Sequence, residues 1–234
     1  MNGSRKRVVV LISGRGSNMR ALIEAARDPA YPAEIVGVIS NRASAAGLEF
    51  AARAGIATRV ITKSDYPDST AQDAALERAL AEFGAELICL AGYMRLLTES
   101  FVSRWSGRMI NIHPSLLPLF KGLHPHQQAL DAGVRLHGCS VHFVTFAMDS
   151  GPIIAQAALP VLTGDDEDRL SARTLAAEHK LYPHALRLLA EGKVRMVGDR
   201  AVFRVAETGT ASMLISPDLV EQGPDLEALA RSTP

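Results

Sequence analysis

Apolar runs and helical stripes alternate along the first half of the chain. Val8–Ile12 is continuously apolar and is closed by Ser13 and Gly14. Beyond the turn Ser13-Gly14-Arg15-Gly16-Ser17-Asn18, Met19, Leu22, Ile23 and Ala26 fall at helical spacing, which predicts strand, turn, helix. Ile35–Ile39 predicts a second strand, and Leu48, Ala51 and Ala52 a short helix stopped by Gly55. Thr58–Ile61 reads as a weaker strand, Ser69–Phe83 as a helix ending at Gly84, and Leu87–Ala91 as a buried strand. Thr98 caps a predicted helix carrying Phe101, Val102 and Trp105, and Met109–Ile112 is the next strand. Continuous apolar strands alternating with helices predict an α/β, Rossmann-like fold: a mostly parallel twisted sheet with helices on both faces.

The pattern changes after His113. Pro114, Pro118, Gly122 and Pro125 predict a loop from His113 to Pro125. His137–Phe146 alternates, with Cys139, Val141, Phe143 and Thr145 on one side. Ile153–Leu159 follows through the turn Asp149-Ser150-Gly151-Pro152, so the two runs predict an antiparallel C-terminal extension. Thr163-x-x-Asp166 signals a helix running to Glu191, which Pro183 should kink or split. Val194–Val197 and Val202–Val205 predict a hairpin. One domain over 1–206 is expected, followed by an acidic tail, 207–234, that is poor in core residues and expected to be poorly ordered.

Composition narrows the class. The 234 residues are 47% hydrophobic and 21% charged, enough apolar material for one sizeable core. Lys+Arg and Asp+Glu are both 25, so no global basic field points to nucleic acid. The apolar run at Val8–Ile12 is too short for a secretory segment of about 7–15 residues or a membrane span of about 20. Cys89 and Cys139 form no disulfide framework or zinc spacing, and a reducing cytoplasm is the natural expectation.

Three features carry candidate chemistry. The turn Gly14–Asn18 puts small residues before a helix N-terminus, where unpaired N–H groups and a partial positive charge attract anions. Met19 departs from a dinucleotide fingerprint and the Walker lysine is absent, so a single phosphate fits better; a tight turn needing glycine explains the motif equally well. Asn111 and His113, two apart on a strand, stand side by side at the carboxyl edge of the sheet, where open α/β folds place ligands. An amide can donate to an oxyanion and an imidazole can move a proton, although an isolated Asn-x-His also serves as a loop cap. Asp149, in a Gly/Pro turn after a strand, could point back at that edge, orient His113 and favour its protonated form. Glu178 lies on the apolar stripe Leu170, Thr174, Leu181, Ala185 and so requires a polar partner. His124 with His126, or His137 with His142, could suggest a metal pair, but no Asp or Glu sits at ligand spacing, and no metal is expected.

Taken together, these stretches resemble the phosphoribosylglycinamide (GAR) formyltransferases of the folate-dependent formyltransferase superfamily. The resemblance rests on Ile12–Asn18, Ala91–Leu97, Ile110–Pro118, Gly122–His126, His137–Val144, Asp149–Ile154 and Glu178–Pro183, in the family's order. It implies that Gly16, Ser17 and Asn18 hold the GAR phosphate and that Glu178 binds GAR polar groups. It implies a folate pocket lined by Met94, Arg95, Leu96, Leu97 and Asn111, and a catalytic set of Asn111, His113 and Asp149. Ser69 departs from an Arg that many relatives carry nearby, and Phe146 from a frequent acid.

The reaction so implied is direct formyl transfer from 10-formyltetrahydrofolate, as co-substrate, to the GAR amine in purine (IMP) synthesis, through a tetrahedral intermediate. Small-molecule substrates, and neither nucleic acid nor membrane, are the expected partners; monomer and homodimer both stay open. The alternatives are a related formyltransferase, a formyltetrahydrofolate hydrolase, or a non-catalytic nucleotide-binding sensor. A transfer RNA formyltransferase would be expected to add a C-terminal domain, and the hydrolase an N-terminal one.

Overall fold

The computed structural model describes residues 5–204 and Ser216; the predicted acidic tail, apart from Ser216, lies outside them. The first strand, β1 (Lys6–Ile12), turns through Ser13–Gly16 into α1 (Ser17–Ala26). Then come β2 (Ala33–Ser40), α2 (Ala46–Arg53), β3 (Ala57–Val60), α3 (Ser69–Glu82), β4 (Leu87–Leu90), α4 (Glu99–Arg104) and β5 (Met109–His113). The second half holds α5 (Pro125–Asp131), β6 (Leu136–Phe143), β7 (Ile153–Pro160), α6 (Glu167–Ala190), β8 (Val194–Val197) and β9 (Arg200–Phe203).

Seven strands form one sheet in the order β3-β2-β1-β4-β5-β6-β7, parallel up to β5 and antiparallel for β6 and β7. Alternate residues of β1 feed two cores. Val8, Val10 and Ile12 pack with α1 and with Leu181, Tyr182, Ala185 and Leu186 of α6. Val9 and Leu11 pack with Leu76 and Leu80 of α3 and Phe101 of α4. The strand order reverses between β1 and β4, so the loops after these two strands flank the crevice where such sheets take ligands.

Four expectations are corrected. The loop from His113 to Pro125 leads into α5, which the sequence reading omitted; Pro125 occupies the helix's first position, where a missing N–H costs nothing. In β6 every residue from His137 to Phe143 is buried, not one face, because β5 and β7 flank the strand and both its surfaces are covered. Asp166, not Thr163, caps α6 by accepting the Arg169 amide, and Pro183 does not split the helix. In the hairpin, β9 starts at Arg200, leaving Gly198 (φ 56°) and Asp199 as a two-residue turn.

Candidate active site

The β1–α1 corner is made by backbone. Gly16 takes φ 70°, a left-handed conformation open to glycine, and among the described residues no side chain caps the first turn of α1. The first-turn amides therefore keep their free N–H groups. A Cβ on Gly16 would come within 3.0 Å of Met19 Cε and 3.2 Å of Gly47 Cα. Gly47 closes the same turn, its amide donating to the Gly14 carbonyl at 3.1 Å. From α6, Glu178 reaches this corner: Asn18 Nδ2 donates to its Oε2 at 2.6 Å. Glu178 is 5% exposed, and burial pushes its carboxyl pKa up against the opposing pull of the Asn18 amide.

The second corner, at the end of β5, is made by side chains. Asn111 and His113 project from the strand, and the register sets Asn111 opposite His142 and His113 opposite Ser140 on β6. Asp149 sits at φ 48° in the turn before β7. Its Oδ2 lies 3.4 Å from His113 Nδ1 and accepts the Gly122 amide at 3.0 Å. Its Oδ1 lies 3.8 Å from His142 Nε2. His113 Nε2 donates to the Phe120 carbonyl at 2.9 Å, so both ring nitrogens face acceptors. The loop that brings Phe120 there is fastened by Ser140: its Oγ donates to Ser115 O at 2.7 Å and accepts the Leu117 amide at 3.0 Å.

His142 went unrecognised in the sequence except as half of a metal pair. Its Nδ1 donates to the Phe143 carbonyl at 2.8 Å, so Nε2 of the neutral ring accepts from Asn111 Nδ2 at 3.2 Å. Burial pushes the His142 pKa down, against the opposing pull of the Phe143 carbonyl and of Asp149. Asn111 is thus held through one N–H, and among the described residues nothing accepts the second. Only the antiparallel register reveals this contact, since 31 residues separate the two.

The other histidines group differently from either suggested pair. His126 Nδ1 and His137 Nε2 lie 3.1 Å apart, sharing one hydrogen bond. Burial, with His126 next to it, pushes His137 down to about 4. Among the described residues no group of three or more His, Cys, Asp or Glu could hold a metal ion.

The segment after β4 alternates. Met94 and Leu96 are exposed, whereas Leu97 is buried and Arg95 turns inward. Ser13, missed in the sequence, ties this segment to the first corner: its Oγ accepts the Met94 amide at 2.7 Å and donates to Asn41 Oδ1 at 2.6 Å. A buried serine at a strand's carboxyl end was the available signal.

An uncapped glycine turn and an amide–imidazole–carboxylate cluster thus lie on one edge of a Rossmann-like sheet. The chain belongs to the formyl transferase family, whose profile matches residues 6–186. It is 46% identical over 189 residues to the phosphoribosylglycinamide formyltransferase of Escherichia coli (strain K12), covering 81% of this chain and 89% of that one. The crystal structure of phosphoribosylglycinamide formyltransferase from Brucella melitensis matches with 56% identity and a TM-score of 0.78, over 84% of this chain and 100% of that one. The trifunctional purine biosynthetic protein adenosine-3 of Bos taurus is 53% identical over 203 residues, 87% of this chain. This chain spans only 20% of that longer relative's length.

Proposed function

We propose that the protein transfers the formyl group of 10-formyltetrahydrofolate to the amine of GAR, in cytoplasmic purine synthesis, with residues 1–206 as the catalytic domain. The observation that carries this reading is the meeting of Asn111, His113 and Asp149, with Asp149 Oδ2 3.4 Å from His113 Nδ1, beside an uncapped glycine turn. The likeness to an enzyme named for this reaction, over 89% of its length, supports it.

In this reading the amides of Gly16, Ser17 and Asn18 hold the phosphate, and Glu178 takes further polar groups of GAR. Folate lies against Met94, Arg95, Leu96, Leu97 and Asn111. The GAR amine attacks the formyl carbon, and negative charge gathers on the formyl oxygen. Asn111 donates its free N–H to that oxygen. His113 contributes a ring N–H by giving up its bond to the Phe120 carbonyl, while Asp149 keeps the imidazolium paired. The tetrahedral intermediate collapses by breaking the bond to folate N10; N10 takes a proton and the former amine loses one, so the step balances.

Mixing the protein with 10-formyltetrahydrofolate, with and without GAR, tests the reading. Folate absorbance and mass spectrometry should show deformylated folate and formyl-GAR in equal amounts, only when GAR is present. Formate released without GAR would identify a hydrolase, and tight binding of GAR without turnover a sensor.

A further inference from the structure

The segment between β4 and α4 holds an arginine where an apolar side chain would be expected. Its in-and-out alternation places Arg95 and Leu97 inward and Met94 and Leu96 outward; the Arg95 side chain is 10% exposed, whereas Leu96 is 77% exposed. A guanidinium stays out of water only with a counter-charge. Asp73, on α3, supplies it: Oδ1 lies 2.6 Å from Arg95 Nη2, and the Asp73 side chain is 2% exposed. The same carboxylate accepts the Thr98 amide on Oδ2 at 2.9 Å, at the residue that caps α4. Arg95 Nη2 also donates to the Ser69 carbonyl at 3.1 Å, and its buried Nη1 has no hydrogen-bond partner among the described residues. The far half of the segment is therefore fastened to α3 through one carboxylate. Its near half is fastened at Met94 by Ser13.

We propose that Asp73 is a positioning residue for the folate side of the site, acting through Arg95 to set which side chains of Met94–Leu97 face the ligand. This rests on the proposed formyl-transfer reading. Without the anion, Arg95 turns toward water, and in an alternating segment that rotates Met94 and Leu96 away from the crevice. The β1–α1 corner proposed for GAR is built from other elements and meets this segment at the Ser13–Met94 contact rather than at Arg95, so GAR binding is expected to change little.

The test is Asp73→Asn, which keeps the size and an acceptor for the Thr98 amide but removes the charge. The expected result is a KM for 10-formyltetrahydrofolate raised about tenfold or more, with the KM for GAR within about twofold. A second series compares Arg95→Gln, which leaves the buried Asp73 carboxylate unpaired, with Arg95→Gln/Asp73→Asn, which leaves no unpaired buried charge. If Asp73 acts through Arg95, the double variant binds folate no worse than Arg95→Gln; where a single variant fails to fold, the double variant is measured against the parent and shows the raised folate KM with the GAR KM kept. Unchanged folate KM in Asp73→Asn, equal losses for both substrates, or a further folate loss in the Arg95→Gln background overturns the role. Fluorescence titration of the parent with an unreactive folate separates the two failures. A parent that does not bind folate defeats the reading of the site, whereas a parent and an Asp73→Asn variant that bind it equally defeat only the positioning role.

Discussion

The two corners of the ligand edge are built by opposite means. At the β1–α1 turn the groups proposed to hold the anion are main-chain amides, in a turn that Gly16 and Gly47 keep open by having no Cβ, with Glu178 the side chain that reaches it. At the end of β5 the groups proposed to react are side chains, of Asn111, His113 and Asp149 with His142 behind them, brought together from two strands and a turn. A backbone cradle binds anions without titrating near neutral pH, which suits holding a phosphate. A cluster of amide, imidazole and carboxylate can move protons, which suits making and breaking bonds. The expected sensitivities are therefore reversed: adding atoms damages the first corner, and removing them damages the second.

The largest effect is expected at the second corner. His113→Ala should lower turnover by roughly 10²–10⁴-fold while both substrates still bind, checked by steady-state kinetics beside calorimetric titration. Near-normal turnover would remove His113 from the chemistry. At the first corner, Gly16→Val should weaken GAR binding by about tenfold or more through the left-handed φ and the crowded Cβ, with folate binding kept. Equal losses of the two ligands would show a damaged fold rather than a damaged cradle.

Glu178 gives the smallest and most discriminating contrast, a titratable group set into the backbone corner. Burial raises its folded-state pKa above the unfolded value. Its contribution to stability is therefore complete below the usual Glu range and is lost as pH rises through the folded value. Glu178→Gln removes that dependence. By thermal unfolding the variant should match the parent near about pH 4 and exceed it near about pH 8, with weaker GAR binding. A parent that gains on the variant as pH rises would mean that the carboxylate is paired more strongly than the Asn18 contact indicates.

Legibility in the sequence followed the same division. Strands β1, β2, β4 and β5 and the inward faces of α1 and α6 were readable because local apolar period reports burial directly. So was the glycine turn, which is contiguous. Glu178 stood out as a carboxylate on an apolar stripe, though its partner Asn18 lies 160 residues away. What stayed hidden depends on register and loop path. His142 meets Asn111 only because β6 runs antiparallel to β5 in one particular register. The Phe120 carbonyl reaches His113 through a non-repeating loop. Nothing in the local pattern of α3 marks Asp73, whose burial follows from Arg95 folding inward against it. Helix α5 has seven residues between a proline-rich loop and Gly133 and offers too little period to read.

The most direct measurement is single-turnover formyl transfer by Asp149→Asn at saturating GAR and 10-formyltetrahydrofolate, alongside titration of each ligand. The substitution keeps the shape of the turn, and an oxygen for the Gly122 amide, but removes the charge 3.4 Å from His113 Nδ1. The predicted result is near-parent affinity for both ligands with a transfer rate lowered at least about a hundredfold, because the imidazolium that donates to the oxyanion loses its counter-charge. A variant that transfers formyl at the parent's rate would contradict the assignment of Asp149, and with it the division of the site into a binding corner of backbone and a reacting corner of side chains.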